Sequence, residues 1–297
     1  MSKSLTWGQC LDFTLNNKDK WVNGNGRKSA LLYTSMFTDQ MGLSFPIKNI
    51  DFPLMVTITN RLKKSGSGKE GSRGPLTHAS LNRFISAVSV VLKFTKSMRL
   101  HAEPLDFLPF PRFKEEESNR TYFTKEQVHK MIDFARTQLQ RDDLGDVILF
   151  GALTGMRISE ILRLPARWVR FDHNVLALEK CKWGRARTIP IHPLILPILK
   201  SRCEFAKPNV KIFGDEWTGD DQLRRAFYKC MHYVGCHEED GYVFHCLRYA
   251  FATWHMADGT PPIEVKDMCG HKSISTTLGY AKSMPESQQK HVMNFKF

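Results

Sequence analysis

The chain has 297 residues, 42% of them hydrophobic and 25% charged, the proportions of a soluble globular protein, which exclude a disordered, collagen-like or low-complexity chain. At roughly 150 residues per domain the length predicts two domains, each able to bury a core without covalent staples. Forty-three Lys and Arg against 30 Asp and Glu leave a net charge of +13, which favours a polyanionic partner such as nucleic acid.

The excess is shared along the chain. Through Glu117 there are 17 basic and 10 acidic residues, and after it 26 and 20, so no single basic tail carries the charge. Seven cysteines without a CxxC pair point to buried thiols in a reducing compartment rather than a disulfide framework. The first residues, MSKSLTWG, form no apolar signal region, and no apolar run approaches the ~18 residues of a membrane span. A cytoplasmic location and no membrane partner are expected.

In chain order, the stretch KKSGSGKEGSRG from Lys63 to Gly74 has little to bury and many breakers. It predicts a flexible basic loop bearing Lys63, Lys64, Lys69 and Arg73. Leu81, Phe84, Ile85, Val88, Val91 and Leu92 then recur at helical spacing and predict one inward stripe. The other side of that helix carries Asn82, Arg83, Ser86, Ser89, Lys93 and Lys96, either a solvated face or one lying against DNA. Pro104, Pro109 and Pro111 lead into a charged run from Lys114 to Arg120 where neither period persists, a predicted linker between domains 1–117 and 118–297. Thr124 and Gln127 form a capping-box pattern that opens a helix. Val175 to Ile191 reads as two short strands around Trp183 and Gly184, followed by further helical patterns. The fold class expected is mainly α with a small β-hairpin or sheet in the second domain.

Several residues in that domain suit phosphate chemistry. Gly155 breaks one helix and Arg157 opens another, and Glu160 three residues on can hold the guanidinium. The turn from Lys182 to Arg187 gathers the cations Lys182, Arg185 and Arg187. His245 and Arg248 pair at helical spacing, His271 follows a helix end at Gly270, and Tyr280 lies nine residues beyond His271. Each alone is an ordinary structural residue; together they supply guanidiniums for phosphate oxygens, proton donors and a hydroxyl nucleophile. No phosphate-binding glycine loop is present, and the spacing of Cys230, Cys236 and His237 fits no common zinc site. Neither a metal nor another cofactor is expected.

From about Arg120 to Ala281, through TGMRISEILRL, KWGRARTIPI, HCLRYAFATWH and CGHKSISTTLGY, the chain resembles the catalytic domain of the tyrosine recombinases, the phage-integrase family. Position by position, the resemblance implies that Arg157 is the first catalytic arginine, buttressed by Glu160. It makes Lys182, with Lys180 as a less well aligned candidate, the hairpin lysine that protonates the leaving 5′-oxygen. His245 and Arg248 match the His-x-x-Arg pair, His271 the histidine that hydrogen-bonds the scissile phosphate, and Tyr280 the nucleophile. Tyr249 and Cys269 depart from the histidine and leucine common at their positions.

The resemblance further implies a site-specific recombinase that cuts and rejoins DNA through a 3′-phosphotyrosine, integrating or excising a phage or other mobile element in a bacterial host. It would act as a DNA-bound homotetramer, with accessory bending or excision factors as further partners. The first domain resembles the family's helical core-binding domain. There Trp7 through Phe37 would form the first helices and Leu81 through Met98 a later one facing DNA; Arg83, Lys93, Lys96, Lys63, Lys64, Lys69, Arg73, Arg185 and Arg187 are the candidate DNA contacts. After Tyr280 the apolar Val292, Met293, Phe295 and Phe297 suggest a tail that docks on a neighbouring protomer or folds back on its own domain. A type IB topoisomerase-like enzyme shares this chemistry, but the short segment between hairpin and histidine and the small first domain favour a recombinase. A DNA-binding module without catalysis would need no nucleophile.

Overall fold

A computed structural model describes residues 5–22, 26–66, 74–105, 108–115, 121–179, 186–214, 217, 220–281 and 293. The chain divides into two compact units, Met1–Glu117 and Ser118–Phe297.

The described part of the first unit is helical: α1 (Trp7–Asn17), α2 (Asp19–Val22), α3 (Gly26–Met41), α4 (Phe52–Ser65) and α5 (His78–Ser97). Thr6 and Gln9 close a capping box that starts α1. The next residue, Trp7, is fully buried and packs on Phe37 with ring centroids 4.5 Å apart, while its indole N–H donates to Thr38 Oγ1 at 2.9 Å. Buried threonines keep their hydroxyls satisfied locally: Thr14, Thr34, Thr59 and Thr95 each donate to the carbonyl four residues back.

The predicted basic loop begins later than expected. The apolar stripe Met55, Ile58 and Leu62 is buried along α4, and Lys63 and Lys64 extend that helix because cations are favourable beside its C-terminal carbonyls. Lys69 and Arg73 lie outside the described residues.

The predicted stripe of α5 is buried throughout. Its polar side is only partly a surface: Arg83, Lys93 and Lys96 are exposed, but Asn82 and Ser89 are buried. Asn82 donates to the Phe113 carbonyl at 2.9 Å and to Glu115 Oε1 at 2.8 Å, and its Oδ1 accepts from Phe113 N at 3.0 Å. Arg112 adds a bond to Ser86 Oγ at 2.9 Å. The chain at Lys114, predicted as linker, is therefore flanked by residues strapped to α5, because one amide side chain satisfies three polar groups that the strap would otherwise leave unpaired.

The second unit comprises α6 (Lys125–Thr137), α7 (Asp142–Thr154), α8 (Ile158–Ile161), β1 (Val169–Arg170), β2 (Val175–Leu178), β3 (Arg187–Pro190), α9 (Leu196–Cys203), α10 (Asp220–Tyr233), α11 (His245–Ala257), α12 (Pro262–Cys269) and α13 (Ile274–Ala281). This is the mainly α fold with a small sheet that the sequence suggests. Thr124 and Gln127 form the expected capping box. The central helix is α7, apolar on most sides, against which α6 and α11 pack. The sheet is antiparallel in the order β1-β2-β3, with Leu176 opposite Ile189 and Leu178 opposite Arg187.

Candidate active site

Two turns with left-handed glycines place the arginines. Gly155, at φ +61°, ends α7; a side chain there would meet the Phe251 ring at 2.6 Å, so only glycine permits both the turn and the packing. The turn aims the Gly155 carbonyl at Arg248, which donates to it at 2.8 Å and also bonds the Cys269 carbonyl. Arg248, on the buried side of α11, is 1% exposed, and its Nε makes no hydrogen bond among the described residues. Burial pulls its pKa down and the cations Arg157 and Arg187 add to this, while Cys269 and Glu160 oppose it. A buried, incompletely paired guanidinium is a seat for an anion.

Arg157 caps α8, its side chain 17% exposed. Glu160 accepts from the Arg157 backbone N–H at 2.9 Å and from Nη1 at 3.0 Å, so the carboxylate fixes both ends of the residue. Arg187 approaches the same carboxylate with Nη2 to Oε2 at 2.8 Å and Nη1 to Oε1 at 3.2 Å. Burial pushes the Glu160 carboxyl up, but the hydrogen bonds and charge of Arg187, with the Arg157 backbone and charge, outweigh it and hold the pKa at about 2.

Helices α12 and α13 deliver the remaining groups. Gly270, at φ +66°, closes α12, and the next residue, His271, is buried with Nδ1 2.8 Å from Thr277 Oγ1. Tyr280 sits one turn beyond Thr277 on α13 and is 3% exposed. Its ring stacks on His271 at 5.8 Å and tilts against Tyr249 at 5.3 Å; Tyr249 in turn meets the His245 ring edge-on at 4.8 Å. His245, Arg248, His271 and Tyr280 are thus linked through α11, α12 and α13, and Arg248 joins them to the turn that precedes Arg157.

The predicted hairpin cations divide. Lys180, Lys182 and Arg185 lie outside the described residues. Arg187, expected among the cations facing DNA, is instead buried, its side chain 5% exposed. The reason is strand alternation: Arg187 shares the inward face of β3 with Ile189, and an inward charge must find a carboxylate. That alternation is legible in Arg187-Thr188-Ile189-Pro190-Ile191 and could have placed it. Thr277 also escapes the sequence reading, since nothing in its type marks it as a partner of His271. The exposed Arg83, Lys93, Lys96, Lys63 and Lys64 belong to the first unit. Among the described residues no three His, Cys, Asp or Glu are grouped to hold a metal ion.

Residues 121–287 match the phage integrase family, more than half of the chain, and the chain belongs to that family. Its members are tyrosine recombinases, enzymes of site-specific DNA recombination whose general mechanism passes through a 3′-phosphotyrosine. The tyrosine recombinase XerA of Thermococcus onnurineus (strain NA1) is 28% identical over 171 residues, 56% of this chain and 60% of that protein. The integrase of Escherichia phage P2 is 26% identical over 240 residues, 80% of this chain and 65% of its own. The chain spans less than two thirds of the length of both. Of solved structures, the Tn1549 transposon integrase in complex with circular intermediate DNA superposes with a TM-score of 0.71 at 18% identity, covering 97% of this chain and 99% of that one. A lambda integrase dimer bound to a COC′ core site gives 0.70 at 16% identity, over 95% and 79%. These likenesses establish the fold. No described helix is long and apolar enough to cross a membrane.

Proposed function

We propose that this chain is a site-specific recombinase of double-stranded DNA, integrating or excising a phage or other mobile element, with Tyr280 as nucleophile. The observation that carries this reading is Arg248: one buried guanidinium reaches the carbonyl two residues before Arg157 and the carbonyl two residues before His271. Three separated sequence motifs thereby meet at one side chain, and Arg187 ties in the hairpin motif through Glu160 and the Met268 carbonyl. The phenolic oxygen of Tyr280 attacks phosphorus and gives up its proton to solvent. The bond to the 5′-oxygen breaks, that oxygen takes a proton from Lys182, and the products are a 3′-phosphotyrosine and a free 5′-hydroxyl. Arg157 and Arg248 offset charge on the non-bridging oxygens, most strongly in the transition state, with His245 and His271 as hydrogen-bond partners. Because the new ester conserves the phosphodiester's free energy, a second strand's 5′-hydroxyl reverses the step and completes strand exchange.

The units 1–117 and 118–297 both serve DNA binding in this reading, and a homotetramer assembles on paired sites in the cytoplasm. The tail beyond Ala281, outside the described residues apart from Met293, is the candidate bridge between protomers. The deciding experiment is a nicked suicide substrate resolved on a denaturing gel. The wild-type chain is expected to form a covalent adduct and Tyr280→Phe none, with DNA binding nearly intact, since the change removes one oxygen and no positive charge. An adduct with Tyr280→Phe would overturn the assignment.

A further inference from the structure

Arg187 uses its whole fork inside the protein. Nη1 and Nη2 hold the Glu160 carboxylate, and Nε donates to the Met268 carbonyl at 3.0 Å. A single side chain therefore joins β3 to Glu160, 27 residues earlier, and to the last turn of α12, 81 residues later. Glu160 passes the constraint to Arg157 through two further bonds, and the turn of α12 passes it to Gly270 and His271. The fit is close: a Cβ on Gly270 would stand 2.9 Å from Arg187 Cδ, so the glycine lets the guanidinium lie against the backbone that precedes His271.

We propose that Arg187 is a positioning residue for the cleavage step, setting Arg157 through Glu160, and His271 through the end of α12, at the places where they meet the scissile phosphate. It does not itself touch DNA. Its side chain is 5% exposed and every guanidinium nitrogen already has a partner, so it acts through the groups it holds. A buried ion pair is a poor choice for stability alone, because well-packed apolar residues often hold a fold as well. A planar fork on a carboxylate, by contrast, fixes orientation as an apolar contact or an ammonium cannot.

This inference rests on the recombinase reading, and its test separates the two. Adduct formation is followed in single turnovers at saturating DNA for wild type, Arg187→Lys, Arg187→Gln and Tyr280→Phe, with melting temperatures measured in parallel. Arg187→Lys and Arg187→Gln are expected to slow the adduct roughly 10- to 100-fold, the scale on which orienting partners usually matter, with DNA affinity changed less than about threefold. If one variant does not fold, the other carries the comparison. A methylphosphonate at the scissile position carries less charge for Arg157 to offset, so the deficit is expected to shrink there by at least roughly threefold. Unimpaired adduct formation in a folded variant, or an equal deficit on both substrates, would overturn the positioning role. An absent wild-type adduct, or one formed by Tyr280→Phe, would instead defeat the recombinase reading itself.

Discussion

Glu160 is an acid held by the guanidiniums of Arg157 and Arg187 and by the Arg157 backbone N–H, and its proton affinity reports how much those groups do. With the folded pKa depressed from 4.5 to about 2, its contribution is fully present above the unfolded value and is lost as pH falls through the folded one. At 1.36 kcal/mol per unit this is on the order of 3 kcal/mol near neutrality. Urea unfolding at pH 6 and pH 3 measures it: the stability lost between the two is expected to be smaller in Glu160→Gln by roughly 2 kcal/mol. Equal losses in both proteins would mean the carboxylate is not held by its arginines. Tyr280 shows the same coupling of chemistry to packing, since the proposed nucleophile lies against His271 and Tyr249 within a small apolar cluster.

At the scale of elements, α5 does two things the hydrophobic stripe alone would not require. It packs the core of the first unit and clasps the strap at Arg112–Glu115 through Asn82. Asn82→Ala would leave the Phe113 N–H and carbonyl unsatisfied, at a cost of about 1–3 kcal/mol. Trypsin should then cut after Arg112 or Lys114 faster than in wild type, and an unchanged cleavage pattern would contradict the clasp. The hairpin of β2 and β3 carries a separate prediction at its connecting segment. If Lys182 protonates the leaving oxygen, Lys182→Ala should slow cleavage by roughly 10²–10⁴-fold, and a 5′-bridging sulfur, a leaving group that needs little protonation, should restore much of the rate. Rescue of Lys180→Ala instead would move the assignment to Lys180.

For the molecule as a whole, the +13 charge would make affinity for the proposed DNA partner a function of salt. Each phosphate neutralised contributes roughly 0.9 to the slope of log affinity against log salt. The exposed Arg83 and Lys93 lie on α5, and if they contact phosphates, Arg83→Glu with Lys93→Glu should weaken binding and make the slope shallower by about two. A weaker affinity with an unchanged slope would place them off the DNA. Arg187 is not expected to contribute to that slope directly, since its side chain is 5% exposed and its guanidinium is bonded to Glu160 and the Met268 carbonyl.

The mainly helical class with its small sheet was legible in the sequence, because capping boxes, helical stripes and strand alternation are properties of neighbours along the chain. Thr124 with Gln127 and the α5 stripe were legible for that reason. Tertiary structure decided which polar residues face inward. Arg187 reads as one more surface cation until β3 turns it toward Glu160; Asn82 reads as part of a polar helix face until the strap arrives 31 residues later to cover it. Thr277 acquires its partner only when α12 and α13 bring it to His271. A buried polar group is chosen by what stands opposite; for Arg187 and Asn82 that partner comes from 27 and 31 residues away, so local pattern can mark an inward face, as on β3, but cannot name the partner.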